Sequence, residues 1–159
     1  MQDQKYSSGQ LYALVSLRLF IGWHFLYEGV VKMYEPTWTA KGYLLSATIL
    51  RPFFGWLGSG GMSTFVDYAT ITTLLIVGVS LLIGFKTRWA GVLGIALLSL
   101  FYLAHPPFPG LPQGPAEGSY WIVNKNIIEI AALWVIMVFP TSWAFGLENI
   151  LSKKTETAN

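Results

Sequence analysis

The sequence predicts an all-α integral membrane protein, a four-helix bundle with a short interfacial or re-entrant helix in its first long loop. Three observations carry this expectation. The chain is 53% hydrophobic and 11% charged, whereas a soluble domain usually carries about 25% charged residues. Four apolar segments run about 17 to 24 residues each, the length that spans a bilayer core as a helix. Finally, "KTR" at 86–88 is too short a link for anything but antiparallel neighbours. The 159 residues read as one membrane domain.

The first helix is expected over about Gln10–Met33. It is too long and too charged for a cleavable leader and has no small-x-small cleavage site. The second is expected over Tyr68–Phe85, the third over Trp89–His105 and the fourth over Ile122–Phe139. Between the first two lies an outer loop, 34–67, whose apolar stretch around Tyr43–Phe54 is too short to span and suits an interfacial helix. A second outer loop, 106–121, is rich in Pro and Gly and reads as irregular. The tail 152–159 is polar and is expected to fray.

Basic residues in short loops set orientation. Lys5, Lys86, Arg88, Lys153 and Lys154 fall on one side; Lys32, Lys41, Arg51 and Lys125 fall on the other. The compact "KTR" hairpin places both termini in the cytoplasm of a bacterial-type inner membrane. A net charge of +2 gives no reason to expect nucleic acid as a partner. The absence of cysteine excludes disulfides, dithiol chemistry, iron–sulfur clusters and c-type haem within the chain. Redox chemistry would need a bound carrier.

The stretch "RLFIGWHFLYEGVVK", Arg18–Lys32, keeps four ionisable groups inside an apolar helix. Each costs roughly 2.5–3.5 kcal/mol at mid-helix on insertion scales, so it persists when paired or beside a wet cavity. Antiparallel threading brings His24, Glu28 and Lys32 to the same membrane face as Asp67, His105, Asn124, Lys125, Asn126 and Glu129. Glu28 precedes Lys32 by four residues, the favourable order for a helical ion pair. Arg18 is expected one to two turns beneath. Two readings stay open. In one, a closed ion-pair network holds the helices, with Arg18 on Glu28 or Glu129, and Lys125 on Glu129 or Asp67. In the other, part of the set lines a ligand pocket.

Two histidines on different helices raise b-type haem, but their spacing does not require facing ligands; His105, before "PPFP", also suits a helix cap. No three-ligand metal set is visible. Aromatic residues including Trp23, Phe25, Tyr27, Phe53, Phe54 and Trp56 concentrate near the polar set. Aromatic walls with a few hydrogen-bonding groups suit a flat ring with carbonyls, such as a quinone.

Arg18, Gly22, Phe25, Gly29 and Lys32 form an Arg-x3-Gly-x2-Phe-x3-Gly-x2-Lys pattern that resembles the DoxX family. "LLIGFKTRWAGVLG" is similar to that family's link between its second and third helices. "HPPFPG" with "YWIVNKNIIEIAAL" resembles its DoxD-like branch, which includes the small subunit of thiosulfate:quinone oxidoreductase. The resemblance spans about residues 10–145 and implies a four-helix membrane bundle that passes electrons to quinone. Many members carry a glutamate early in the second helix; here that region reads "YATITTLL".

The expected function is therefore a membrane subunit of a quinone-linked oxidoreductase. Arg18 or Lys32 would stabilise a reduced oxygen, and His24, Glu28 and Glu129 would exchange protons. Trp23, Phe25, His105, Asn124, Lys125 and Asn126 would hold the ring. A second oxidoreductase subunit or a homo-oligomer is the expected protein partner. The rival reading is a non-catalytic scaffold whose charges only stabilise the bundle. A transporter ranks below both, because the inner half offers no continuous polar path.

Overall fold

The computed structural model describes residues 6–112 and 119–156. Among them the chain forms α1 (Ser8–Tyr34), α2 (Lys41–Leu45), α3 (Arg51–Leu57), α4 (Gly60–Ile83) and α5 (Thr87–Ala104). A two-stranded antiparallel hairpin, β1 (Ser119–Tyr120) and β2 (Val123–Asn124), leads into α6 (Lys125–Val138), and α7 (Leu147–Glu156) follows.

A capping box starts α1. The Ser7 hydroxyl accepts from the Gln10 N–H at 3.3 Å and the Gln10 side chain accepts from the Ser7 N–H at 2.9 Å, which satisfies two donors that a helix start leaves open. The buried residues of α1 are Arg18, Gly22, Phe25 and Gly29, spaced by four, three and four, so they form one stripe. That stripe lies along α4. Gly22 faces Leu81 and Leu82, Gly29 faces Leu74 and Leu75, and Gly78 faces Leu26. Position numbers rise on one helix as they fall on the other, so α1 and α4 are antiparallel. At Gly78 an added Cβ would sit 2.5 Å from the Leu26 backbone nitrogen. The two backbones approach as closely as small residues permit.

The α4–α5 turn uses Gly84 at φ 66° and Lys86 at φ 48°. Gly94 of α5 faces Leu133 of α6 and Gly91 faces Met137, so this pair is antiparallel as well. Phe25, Leu74, Val77, Leu81, Leu98, Leu133 and Ile136 close one core between the four long helices. One end of the molecule, the loop end, therefore gathers the last turns of α1 and α5 and the first turns of α4 and α6. A second small core, with Leu44, Phe54 and Ala104, ties α2 and α3 to that end.

Several boundaries differ from expectation. Three helices, α1, α4 and α5, are long and apolar enough to cross a membrane. At 14 residues, α6 is only about 21 Å long. It begins at Lys125 because Asn124 is its N-cap, accepting from the Ile127 N–H at 3.2 Å; Ile122 and Val123 belong to the preceding hairpin. Helix α4 starts at Gly60, eight residues before the expected Tyr68. Asp67 does not end it, because its carboxylate accepts the Ala40 N–H at 2.7 Å and so remains satisfied beside the helix. The first long loop shrinks accordingly, and its apolar stretch forms two short helices. Leu50 turns left-handed at φ 51° between them, and Pro52 then opens α3. In the second loop, residues 113–118 lie outside the described residues, and 119–124 form a hairpin where irregular chain was expected to 121 and helix from 122. The tail is helical to Glu156, with 157–159 outside the described residues.

Gly78→Ala should lower the stability of the detergent-solubilised protein by about 1–3 kcal/mol, because neither backbone can yield. Gly9→Ala, where nothing lies within 4 Å of the added Cβ, should leave thermal unfolding unchanged.

Candidate functional site

The loop end forms a half-open cavity of about 410 Å³. Helix α1 contributes Glu28 and Lys32, which form an ion pair one turn apart. Thr70 of α4, Phe101 of α5, and Lys125 and Asn126 of α6 form the other walls. The chain that follows α1 folds back as a roof, with Trp38, Thr39, Ala40 and Tyr43 facing the cavity. The Lys32 ammonium lies 5.7 Å from the centre of the Trp38 ring, within cation–π range.

Long-range bonds hold the roof. The Asp67 carboxylate accepts the Ala40 N–H. The Tyr43 hydroxyl donates to the Phe101 carbonyl at 2.8 Å, and Thr48 N–H donates to the Ala104 carbonyl at 2.8 Å. Burial pushes the Tyr43 hydroxyl up to about 12, so it stays protonated and keeps donating. The His105 ring stacks edge-on against Tyr43 at 4.4 Å. Its Nε2 lies 2.9 Å from the Tyr43 carbonyl. A carbonyl only accepts, so Nε2 carries the proton. His105 Nδ1 is buried with no partner among the described residues.

A second chamber, about 120 Å³, adjoins the first and shares Glu28, Lys32, Phe101, Lys125 and Asn126 with it. Phe25, Leu74 and Leu98 make it more apolar. His24 of α1 and Glu129 of α6 stand at its wall, with His24 Nε2 3.2 Å from Glu129 Oε1. Among the described residues this is the one contact between a carboxylate and a basic side chain that joins two helices.

The structure thus brings together His24, Phe25, Glu28, Lys32, Lys125, Asn126 and Glu129. It separates the remaining expected residues from them. Arg18 does lie one to two turns beneath His24 on α1, but it pairs with neither Glu28 nor Glu129. Its guanidinium turns to the opposite end of the molecule and donates to Thr141 Oγ1 at 3.0 Å and to the Phe145 carbonyl at 2.5 Å. There it closes a packed corner where Gly84 and Gly146 meet backbone to backbone, an added Cβ at Gly84 lying 2.7 Å from the Gly146 Cα. The same corner is tied by Glu148, which accepts from the Lys86 N–H at 2.7 Å and from the Ser142 hydroxyl. His105 braces the roof from behind and lines neither cavity. Trp23 is 60% exposed and faces outward. Asn124 is committed as the α6 N-cap. Asp67 serves the roof and not Lys125.

Trp38, Thr39, Tyr43, Thr70 and Phe101 were missed as site residues. Periodicity does not reveal them, because the roof folds back across the bundle through bonds between segments far apart in sequence. The retrievable signal was Thr70, which falls on the same α4 stripe as Leu74, Val77 and Leu81. Thr70 and Asn126 are both buried, both line the larger cavity, and neither side chain is hydrogen-bonded among the described residues. Lys125 has no ion-pair partner among the described residues. Thr70 and Asn126 are thus left without partners and Lys125 acts on Glu28 and Glu129 only through its charge, whereas Tyr43, Asp67 and His105 are hydrogen-bonded.

A family profile described as DoxX matches residues 13–106, from early α1 to the end of α5. Lys125, Asn126 and Glu129 fall beyond the matched span. No curated protein and no solved structure matches the chain.

Arg18→Met should cost about 1–3 kcal/mol by leaving buried acceptors unpaired. Limited proteolysis should then cut the 140–156 segment faster, while Lys125→Gln should leave both cleavage and thermal unfolding unchanged.

Proposed function

The chain belongs to the DoxX family of membrane proteins, and from that premise we propose that it is the membrane subunit of a quinone-linked oxidoreductase of the DoxD-like kind. In this reading α6 completes a four-helix bundle in a bacterial-type inner membrane, with both termini cytoplasmic and the loop end outward. A second subunit brings the reductant, since the chain has no cysteine for a cluster or dithiol.

The observation that carries the proposal is the 410 Å³ cavity between aromatic walls, with Lys125, Asn126 and Thr70 uncommitted at its edge. Its volume lies in the range of small-ligand sites, and its chemistry of flat apolar walls with few directed polar groups suits a carbonyl-bearing ring. A quinone held there would take up electrons and protons and leave as a quinol. Trp38, Tyr43 and Phe101 flank the ring space. The Asn126 amide and the Thr70 hydroxyl can each donate to a carbonyl oxygen. The Lys125 and Lys32 ammoniums favour negative charge developing on that oxygen. Glu28 is within the same wall, and His24 with Glu129 lies directly below, so a proton can move between carboxylate and imidazole close to the ring.

Mass spectrometry and absorbance of gently purified protein test the reading. Co-extracted quinone near one per chain is the expected result. Lys125→Gln combined with Asn126→Leu should reduce that content at least about tenfold, the equivalent of losing one or two good polar contacts. Unaltered quinone reduction in Glu28→Gln and Glu129→Gln would sink the proton-transfer roles. A stable protein partner with nothing bound in the cavity would favour the scaffold reading instead.

A further inference from the structure

We infer that the site takes a two-part amphiphile, its ring under the Trp38–Tyr43 roof and its hydrocarbon tail leaving sideways through the seam between α1 and α6. The inference rests on the quinone reading above and adds the shape of the ligand and its route.

The two cavities are continuous in lining but unlike in character. The larger one has the roof and the free polar groups. The smaller one adds Phe25, Leu74 and Leu98. A compact polar ligand would have no use for that second space, and a well-packed bundle would have filled it. The small chamber lies deeper. His24 is ten residues before Tyr34, so it sits about 15 Å below the end of α1 at 1.5 Å per residue.

The seam is the weakest joint among the long helices. Helix α1 is packed along α4, α4 on α5 and α5 on α6, while α1 and α6 meet more sparsely. No close glycine contact joins α1 to α6, whereas Gly22, Gly29 and Gly78 join α1 to α4 and Gly91 and Gly94 join α5 to α6. What bridges it is the His24–Glu129 pair, and the His24 side chain is still 33% exposed. The chamber wall is therefore reachable from the side of the molecule. Tyr27, three residues after His24 on α1, and Ile128, next to Glu129 on α6, are more than half exposed, giving a tail an apolar surface to continue along.

The test uses the full chain in lipid nanodiscs and two probes: a tailless benzoquinone, and the same ring with an alkyl tail bearing a diazirine near the ring. Photolabel is expected on Phe25, Leu98 and the 128–133 stretch of α6, and excess tailless ring should suppress it. Leu98→Trp, which fills the small chamber, should abolish that label while the tailless ring still binds. Leu74→Phe serves the same purpose if Leu98→Trp does not fold. Label confined to the roof, or spread over the lipid face as with a ringless alkyl diazirine, overturns the two-part assignment and leaves the quinone reading standing. Failure of the tailless ring to bind or compete sinks the quinone reading and this inference with it.

Discussion

The close approach of α1 to α4 governs the rest of the molecule. Leu26 rests on Gly78, and this contact fixes both the depth and the rotation of α1. With Gly22, Phe25 and Gly29 turned inward, Arg18 is forced inward on the same stripe. His24 and Glu28 then flank the stripe at half-buried positions, facing α6 and the loop end. A rotation of one residue, about 100°, would carry Arg18 into lipid and His24 away from Glu129. The same geometry that packs the core also places the ionisable groups.

Two polar centres result, and they do different work. At the terminal end, Arg18 is a clamp whose two terminal nitrogens donate to Thr141 and Phe145, while its Nε is buried with no partner among the described residues. Glu148 reinforces it by holding the α4–α5 turn through Lys86 and the C-terminal segment through Ser142. A buried guanidinium with fixed carbonyl and hydroxyl acceptors is a structural tie; removing it leaves acceptors stranded. At the loop end the roof is the comparable tie, held by Asp67, Tyr43 and Thr48 from three different segments. Tyr43 and Asp67 are consumed in holding the roof, which leaves Glu28, Lys32, Thr70, Lys125 and Asn126 as the other polar side chains around the cavity, beside Thr39.

The family's residue pattern and the four apolar segments were legible because they are periodic. Arg18, Gly22, Phe25 and Gly29 repeat at helical spacing, and burial follows that spacing residue by residue. Threading placed Glu28, Lys32, Lys125, Asn126 and Glu129 at one end for the same reason. What stayed hidden was pairing across long stretches of chain. Arg18 reaches partners 123 and 127 residues away, and nothing in α1 indicates which end of the bundle its long side chain will seek. Asp67 looked like the start of a helix because a charge is costly inside one, yet a single backbone N–H from Ala40 makes its position tolerable. His105 carried the same ambiguity. A ring with a carbonyl for a partner is fixed in place, and only the fold shows that the carbonyl is Tyr43's.

A closed network of charges accounts for part of the loop end and stops there. Glu28 and Lys32 sit on one helix, so their pair adds nothing to how helices assemble. His24 and Glu129 do join two helices, but through one contact that is partly exposed, and such pairs contribute modestly. The core of Phe25, Leu98 and Leu133 already holds these helices without either pair. Lys125 is exposed at the cavity edge, while Asn126 and Thr70 are buried beside open volume, where unsatisfied polar groups are costly. Packing alone would replace them with apolar side chains and close the space. The surplus of polar groups over structural need, gathered around one cavity, is what favours a ligand there over a purely structural network.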